Sequence, residues 1–154
     1  MGLDMYLYAS KYESRSKWRE EDKKERFYPK ELKELTEKQW EHNFLSKDTN
    51  YQIGYWRKFN ALHHYIVENF ADGEDDCRLI YLYRERIEQI LQVLKTIKQD
   101  KSRANELLPT QSGFFFGSTD YDEWYWEDVE YSIELFETVL KLPKEYSIYY
   151  QASW

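Results

Sequence analysis

The stretch "LDMYLYASKY", residues 3–12, decides the fold. Leu3, Met5, Leu7 and Ala9 fall on one side, and Asp4, Tyr6, Tyr8 and Ser10 on the other. A period of two with aromatic residues reads as a strand with one buried face. The last ten residues, "EYSIYYQASW", alternate in the same way and can pair with it. The segments between these ends carry helical periodicity. The fold class that follows is α+β, with three to four helices packed on a small antiparallel sheet formed by the N- and C-terminal strands.

The helices follow from apolar spacing. Residues 55–70, "YWRKFNALHHYIVENF", place Tyr55, Phe59, Leu62, Ile66 and Phe70 on one stripe, after a break at Gly54. Residues 78–101 repeat the pattern with Ile80, Tyr83, Ile87, Ile90, Leu94 and Ile97. A third helix is expected to start near Tyr121, where Asp120 and Glu123 have capping-box spacing. Its stripe is Trp126, Val129, Ile133, Phe136 and Leu140, and it ends before Pro143. Pro29 suits the first turn of a short helix over residues 30–42, with Leu32 and Leu35 inward. Residues 13–28 read as a solvated loop or frayed helix, because five basic and four acidic residues nearly cancel between 17 and 26. The chain is long enough for one domain, residues 1–154.

Composition narrows the function. The net charge is −7, and residues 104–140 hold nine acidic residues with no Lys or Arg. That disfavours direct binding to nucleic acid, whose phosphates need basic partners. It permits a basic protein partner. One cysteine, Cys77, allows no internal disulfide. Neither a membrane span nor a signal-peptide pattern is visible, so a cytoplasmic setting is expected.

Two aromatic runs and one polar line form the candidate sites. Trp124, Tyr125 and Trp126 span about 200° of a helix, so one of them must meet something other than the core. Phe114–Phe116 lie between Gly113 and Gly117, but the loop has no Lys and is not a phosphate loop. Trp56, Asn60 and His63 share a helical face at spacings of four and three. They can read a polar ligand, or His63 can simply be a core-edge side chain bonded by Asn60. Arg57 and Lys58 supply the cations for an anionic group. His63 and His64 diverge on a helix and cannot chelate together, so neither metal nor cofactor is expected. No serine occupies a nucleophile elbow, and Cys77 has no activating context. The reading is therefore of a binding protein and not an enzyme.

The blocks "MGLDMYLY", "IGYWRKFNALHHYIVENF", "GFFFGSTDYDEWYWED" and "YYQASW" together resemble a family of small proteins encoded by phages and prophages. The resemblance transfers no site residue. It implies a setting in the bacterial host cell, where small viral proteins counter defence. The expected function is a sponge that sequesters a nucleotide-derived immune signal, of cyclic nucleotide or ADP-ribose type, without cleaving it. The expected pocket is Trp56, Arg57, Asn60, His63, Phe115, Tyr121 and Trp124. One alternative is an acidic inhibitor of a nucleic-acid-binding defence protein, acting through Asp122, Glu123, Glu127, Asp128, Glu130 and Glu134. A small signal-degrading enzyme is the other. Tyrosine-rich strand edges are compatible with a homo-oligomer.

Overall fold

The computed structural model describes residues 1–22 and 27–154. The described residues form an α+β fold with a four-stranded antiparallel sheet in the order β2-β1-β4-β3. The strands are β1 (Asp4–Ser16), β2 (Phe44–Arg57), β3 (Ile80–Tyr81) and β4 (Tyr146–Ser153). The helices are α1 (Lys33–Glu41), α2 (Asn60–Phe70), α3 (Arg84–Gln99), the single turn α4 (Ala104–Leu107) and α5 (Glu123–Val139). The N- and C-terminal strands are neighbours at the centre of the sheet, as their matching alternation requires. The chain divides into two compact units, Met1–Ala9 with Tyr51–Trp154, and Ser10–Asn50.

In the larger unit, Leu3, Met5, Leu7, Ile148, Tyr150 and Ala152 point from the central strands into the core. Ile87, Ile90, Leu94 and Ile97 of α3 and Val129, Ile133 and Phe136 of α5 pack within the same core. Arg84, at the first turn of α3, donates to Leu140 O (2.9 Å) and Leu142 O (2.6 Å), closing carbonyls at the C-terminal end of α5. The opposite side of the sheet is paved with tyrosine. Tyr6 lies 6.2 Å from Tyr8 and 5.5 Å from Tyr55, and Tyr81 lies 5.2 Å from Tyr149, between ring centroids.

In the smaller unit, the buried Phe27 ring carries the Arg15 guanidinium at 4.7 Å and the Lys47 ammonium at 4.6 Å. Helix α1 follows a 3-10 turn at Lys30–Leu32 and buries no residue. Leu32 and Leu35, expected inward, are exposed, because the segment offers too few apolar residues to make a face. Of the expected charged loop, residues 13–16 belong to β1, and residues 23–26 lie outside the described residues.

Three further expectations are corrected. Residues 55–57 are strand, not helix. β2 runs through Gly54, where a Cβ would stand 2.5 Å from Leu135 Cδ2 and 3.1 Å from Leu7 Cβ. Gly54 is thus a point of close strand–helix approach rather than a break. Ile80 belongs to β3, paired with Tyr150, so α3 begins six residues later than residue 78. Helix α5 is capped by Asp122, whose Oδ1 accepts from Tyr125 N at 3.1 Å, and not by Asp120.

Candidate functional site

The turn from β2 into α2 builds one wall of a pocket of about 330 Å³. Lys58 occupies that turn with φ 62°, a left-handed conformation unfavourable for a side chain with a Cβ. Its N–H donates to Leu3 O at 2.8 Å, which ties the turn to the sheet. Its alkyl chain runs between two glycines. A Cβ on Gly2 would meet Lys58 Cε at 3.0 Å, and one on Gly117 would meet Cδ at 3.0 Å. Gly117 itself has φ 83°, which suits glycine alone. The lysine is therefore guided by its surroundings, and its ammonium takes no hydrogen bond or ion pair among the described residues.

Asn60 fixes the opposite loop. Its amide donates to Phe116 O (2.9 Å) and Ser118 O (2.8 Å), and its Oδ1 accepts from Gln111 N (2.9 Å). Arg57 also lines the pocket, but its guanidinium is 3.1 Å from Asp4 Oδ1. Lys58 is the cation left for a ligand.

Helix α5 supplies the other wall. Trp124 is 73 % exposed and lines the pocket. It answers the question raised by the aromatic run: Tyr125 is buried with its hydroxyl donating to Leu108 O at 2.8 Å, and Trp126 lies under the Lys101 ammonium at 4.7 Å. One turn on from Trp124, Asp128 is half-buried in the same pocket. Burial, helped by the charges of Glu127 and Asp122, pushes its carboxyl up to about 6. That carboxylate takes no hydrogen bond or ion pair among the described residues. Its backbone is anchored instead: the Trp56 indole donates to Ser132 Oγ (2.8 Å), which donates to Asp128 O (2.6 Å).

Of the expected ligand set, Arg57, Asn60 and Trp124 line the pocket, whereas Trp56, His63, Phe115 and Tyr121 do not. Trp56 is 1 % exposed and stacks on Phe136 in the core. Because it is a strand residue, the helical line through Trp56, Asn60 and His63 does not exist. His63 is also 1 % exposed, held between the Tyr150 hydroxyl (2.7 Å from Nδ1) and Asp75 (2.9 Å from Nε2) rather than by Asn60. Phe115 gives its carbonyl to Leu3 N at 2.9 Å. Tyr121 donates to Asn105 Oδ1 at 3.1 Å.

The six acidic residues also separate. Asp122 and Asp128 line the pocket. Glu130 pairs with Lys98 at 2.7 Å, and Glu123, Glu127 and Glu134 face outward. Among the described residues no group of three or more His, Cys, Asp or Glu side chains is placed to hold a metal ion. Among the described residues no helix is long and apolar enough to cross a membrane either. Comparison with protein-family models, curated proteins and solved structures finds no match.

Chemically, the pocket joins an open indole face, one unpaired ammonium and two unpaired carboxylates, that of Asp128, half-buried, and that of Asp120, exposed. It can stack a flat ring, hold a single anionic group and accept hydrogen bonds from a ring edge.

Proposed function

We propose that this chain binds a nucleotide-derived small molecule in the pocket between the β2–α2 turn and α5, and holds it without cleaving it. The observation that carries this reading is Lys58, an unpaired cation kept in a strained turn and threaded between two glycines. Backbone strain of this kind persists where surrounding structure over-determines it, and it clusters at functional sites. The pocket volume of about 330 Å³ is at the small end for ligand sites, ~300–1,000 Å³. One nucleoside with one phosphate fits that size better than a cyclic oligonucleotide. The resemblance to phage-encoded proteins supports a counter-defence role, in which the bound molecule is an immune signal withheld from its receptor.

Calorimetric titration with nucleoside monophosphates and their 3′,5′-cyclic forms tests the reading. Lys58→Ala and Trp124→Ala should each weaken binding by at least about tenfold, since each removes one charge-assisted or stacking contact. Equal affinity in wild type and both variants would remove the pocket from consideration. The acidic-inhibitor alternative predicts a different dependence, on Glu123, Glu127 and Glu134. Their reversal to Lys should leave nucleotide binding intact under our reading.

A further inference from the structure

We infer that the pocket selects guanine over the other bases, with Asp128 reading the base edge and Trp124 stacking its face. The inference rests on the nucleotide reading above and adds the identity of the base.

The argument starts from helix geometry. Trp124 and Asp128 are four residues apart on α5, so their side chains are neighbours on one face, with Cβ atoms about 5–6 Å apart. Both line the pocket. A ring stacked on the Trp124 indole therefore presents an edge to the Asp128 carboxylate.

That carboxylate is unusual in being half-buried with no partner among the described residues. An unpaired carboxylate withdrawn from water is costly unless something else compensates it. None of the described residues does so: Asp120, Asp122 and Glu127 around it are all anionic, Arg57 is engaged with Asp4, and Lys58 lines the pocket without pairing with it. Its raised pKa has the same cause. The backbone beneath it is nevertheless fixed through Ser132 and the buried Trp56. A half-buried carboxylate on a fixed stretch of helix, with its lone-pair positions free, is a receptor for adjacent hydrogen-bond donors.

Among the common bases only guanine offers two adjacent donors, N1–H and the 2-amino group, on one edge. Adenine and cytosine place a ring-nitrogen acceptor beside the amino group, and uracil flanks its single N–H with two carbonyls. Each of these brings an acceptor lone pair against Asp128. A site built to bond a donor rejects an analogue that lacks it far more strongly than an apolar pocket rejects a methylene.

The test is a competition titration of the full chain at pH 8 with guanosine, adenosine and xanthosine monophosphates. Wild type should prefer guanosine to adenosine monophosphate by at least about tenfold. Asp128→Asn is isosteric and offers one donor and one acceptor. It should lose guanosine monophosphate and gain the xanthosine form, which carries a carbonyl where guanine carries the amino group. Circular dichroism on the same samples confirms that the variant is folded. Binding of all three nucleotides without preference, or a guanine preference unchanged in Asp128→Asn, overturns the base assignment while leaving the pocket reading in place. Failure of wild type to bind any of the nucleotides, at concentrations up to 1 mM or about −4 kcal/mol, overturns both.

Discussion

At the scale of single residues, Lys58 and Asp128 are the pocket side chains whose placement costs the fold something. Lys58 adopts φ 62°, a conformation that glycine would accept without strain. Lys58→Gly should therefore raise stability, by about 0.5–1 kcal/mol once glycine's entropic cost is set against the relieved left-handed strain, while abolishing anion binding. Chemical denaturation and titration on one preparation read both effects. Loss of stability would show that Lys58 serves the fold instead. Asp128 makes a prediction about pH. Its carboxyl is raised to about 6 in the folded chain, against about 3.9 when unfolded. The folded state then binds the proton more readily, so this group's contribution is most favourable at low pH and declines as pH rises from about 4 through 6. Asp128→Asn should stabilise the chain by about 1–2 kcal/mol at pH 7 and by close to nothing at pH 4. Urea melts at the two pH values check it, and an equal effect at both would contradict the assigned burial. Arg57 was legible as a cation near the site. Its neutralisation by Asp4 was not, because that pairing joins residues 53 apart in sequence and depends on β1 lying beside β2.

At the scale of elements, the strands at the two ends and the long amphipathic α3 and α5 could be read from periodicity, because each buries a single face. β2 could not. Its buried residues, Leu45, Gly54 and Trp56, are sparse, and exposed tyrosines such as Tyr55 imitate a helical stripe with the true α2 residues Leu62 and Ile66. That misreading placed Trp56 on the wrong element and produced the false line to His63. The close approach at Gly54 tests the corrected register. Gly54→Ala should cost about 1–3 kcal/mol by overpacking, since its Cβ would meet Leu135 Cδ2 at 2.5 Å. In a Leu135→Ala background the same change should cost much less, as a double-mutant cycle in chemical denaturation will show. Additive costs would mean that β2 and α5 do not meet at this point. The start of α5 was missed by two residues because Asp120 and Asp122 are equally good caps in sequence, and only the Tyr125 N–H distinguishes them.

At the scale of the whole molecule, a chain of net charge −7 presents a pocket whose unpaired ammonium is Lys58. This balance favours a ligand with one anionic group over a polyphosphate. The lining of the pocket was legible in the sequence only in part. Trp124 stood out because three consecutive aromatic residues cannot share one face, and Arg57, Lys58 and Asn60 were adjacent to the expected line. Asp128 was assigned to an acidic surface, since nothing in its spacing announces that it lines a pocket shared with Thr110, Ser118 and Asp120. His63 was misassigned because its partners, Asp75 and Tyr150, are 12 and 87 residues away. The most direct test of the account is ligand retention by the purified chain. The protein is mixed with a panel of nucleoside monophosphates, cyclic nucleotides and ADP-ribose derivatives, freed of unbound ligand and denatured. The released molecules are then identified by mass spectrometry. The account predicts an intact guanine nucleotide recovered from wild type and lost from Lys58→Ala; a chemically altered ligand, or equal recovery from both proteins, would contradict it.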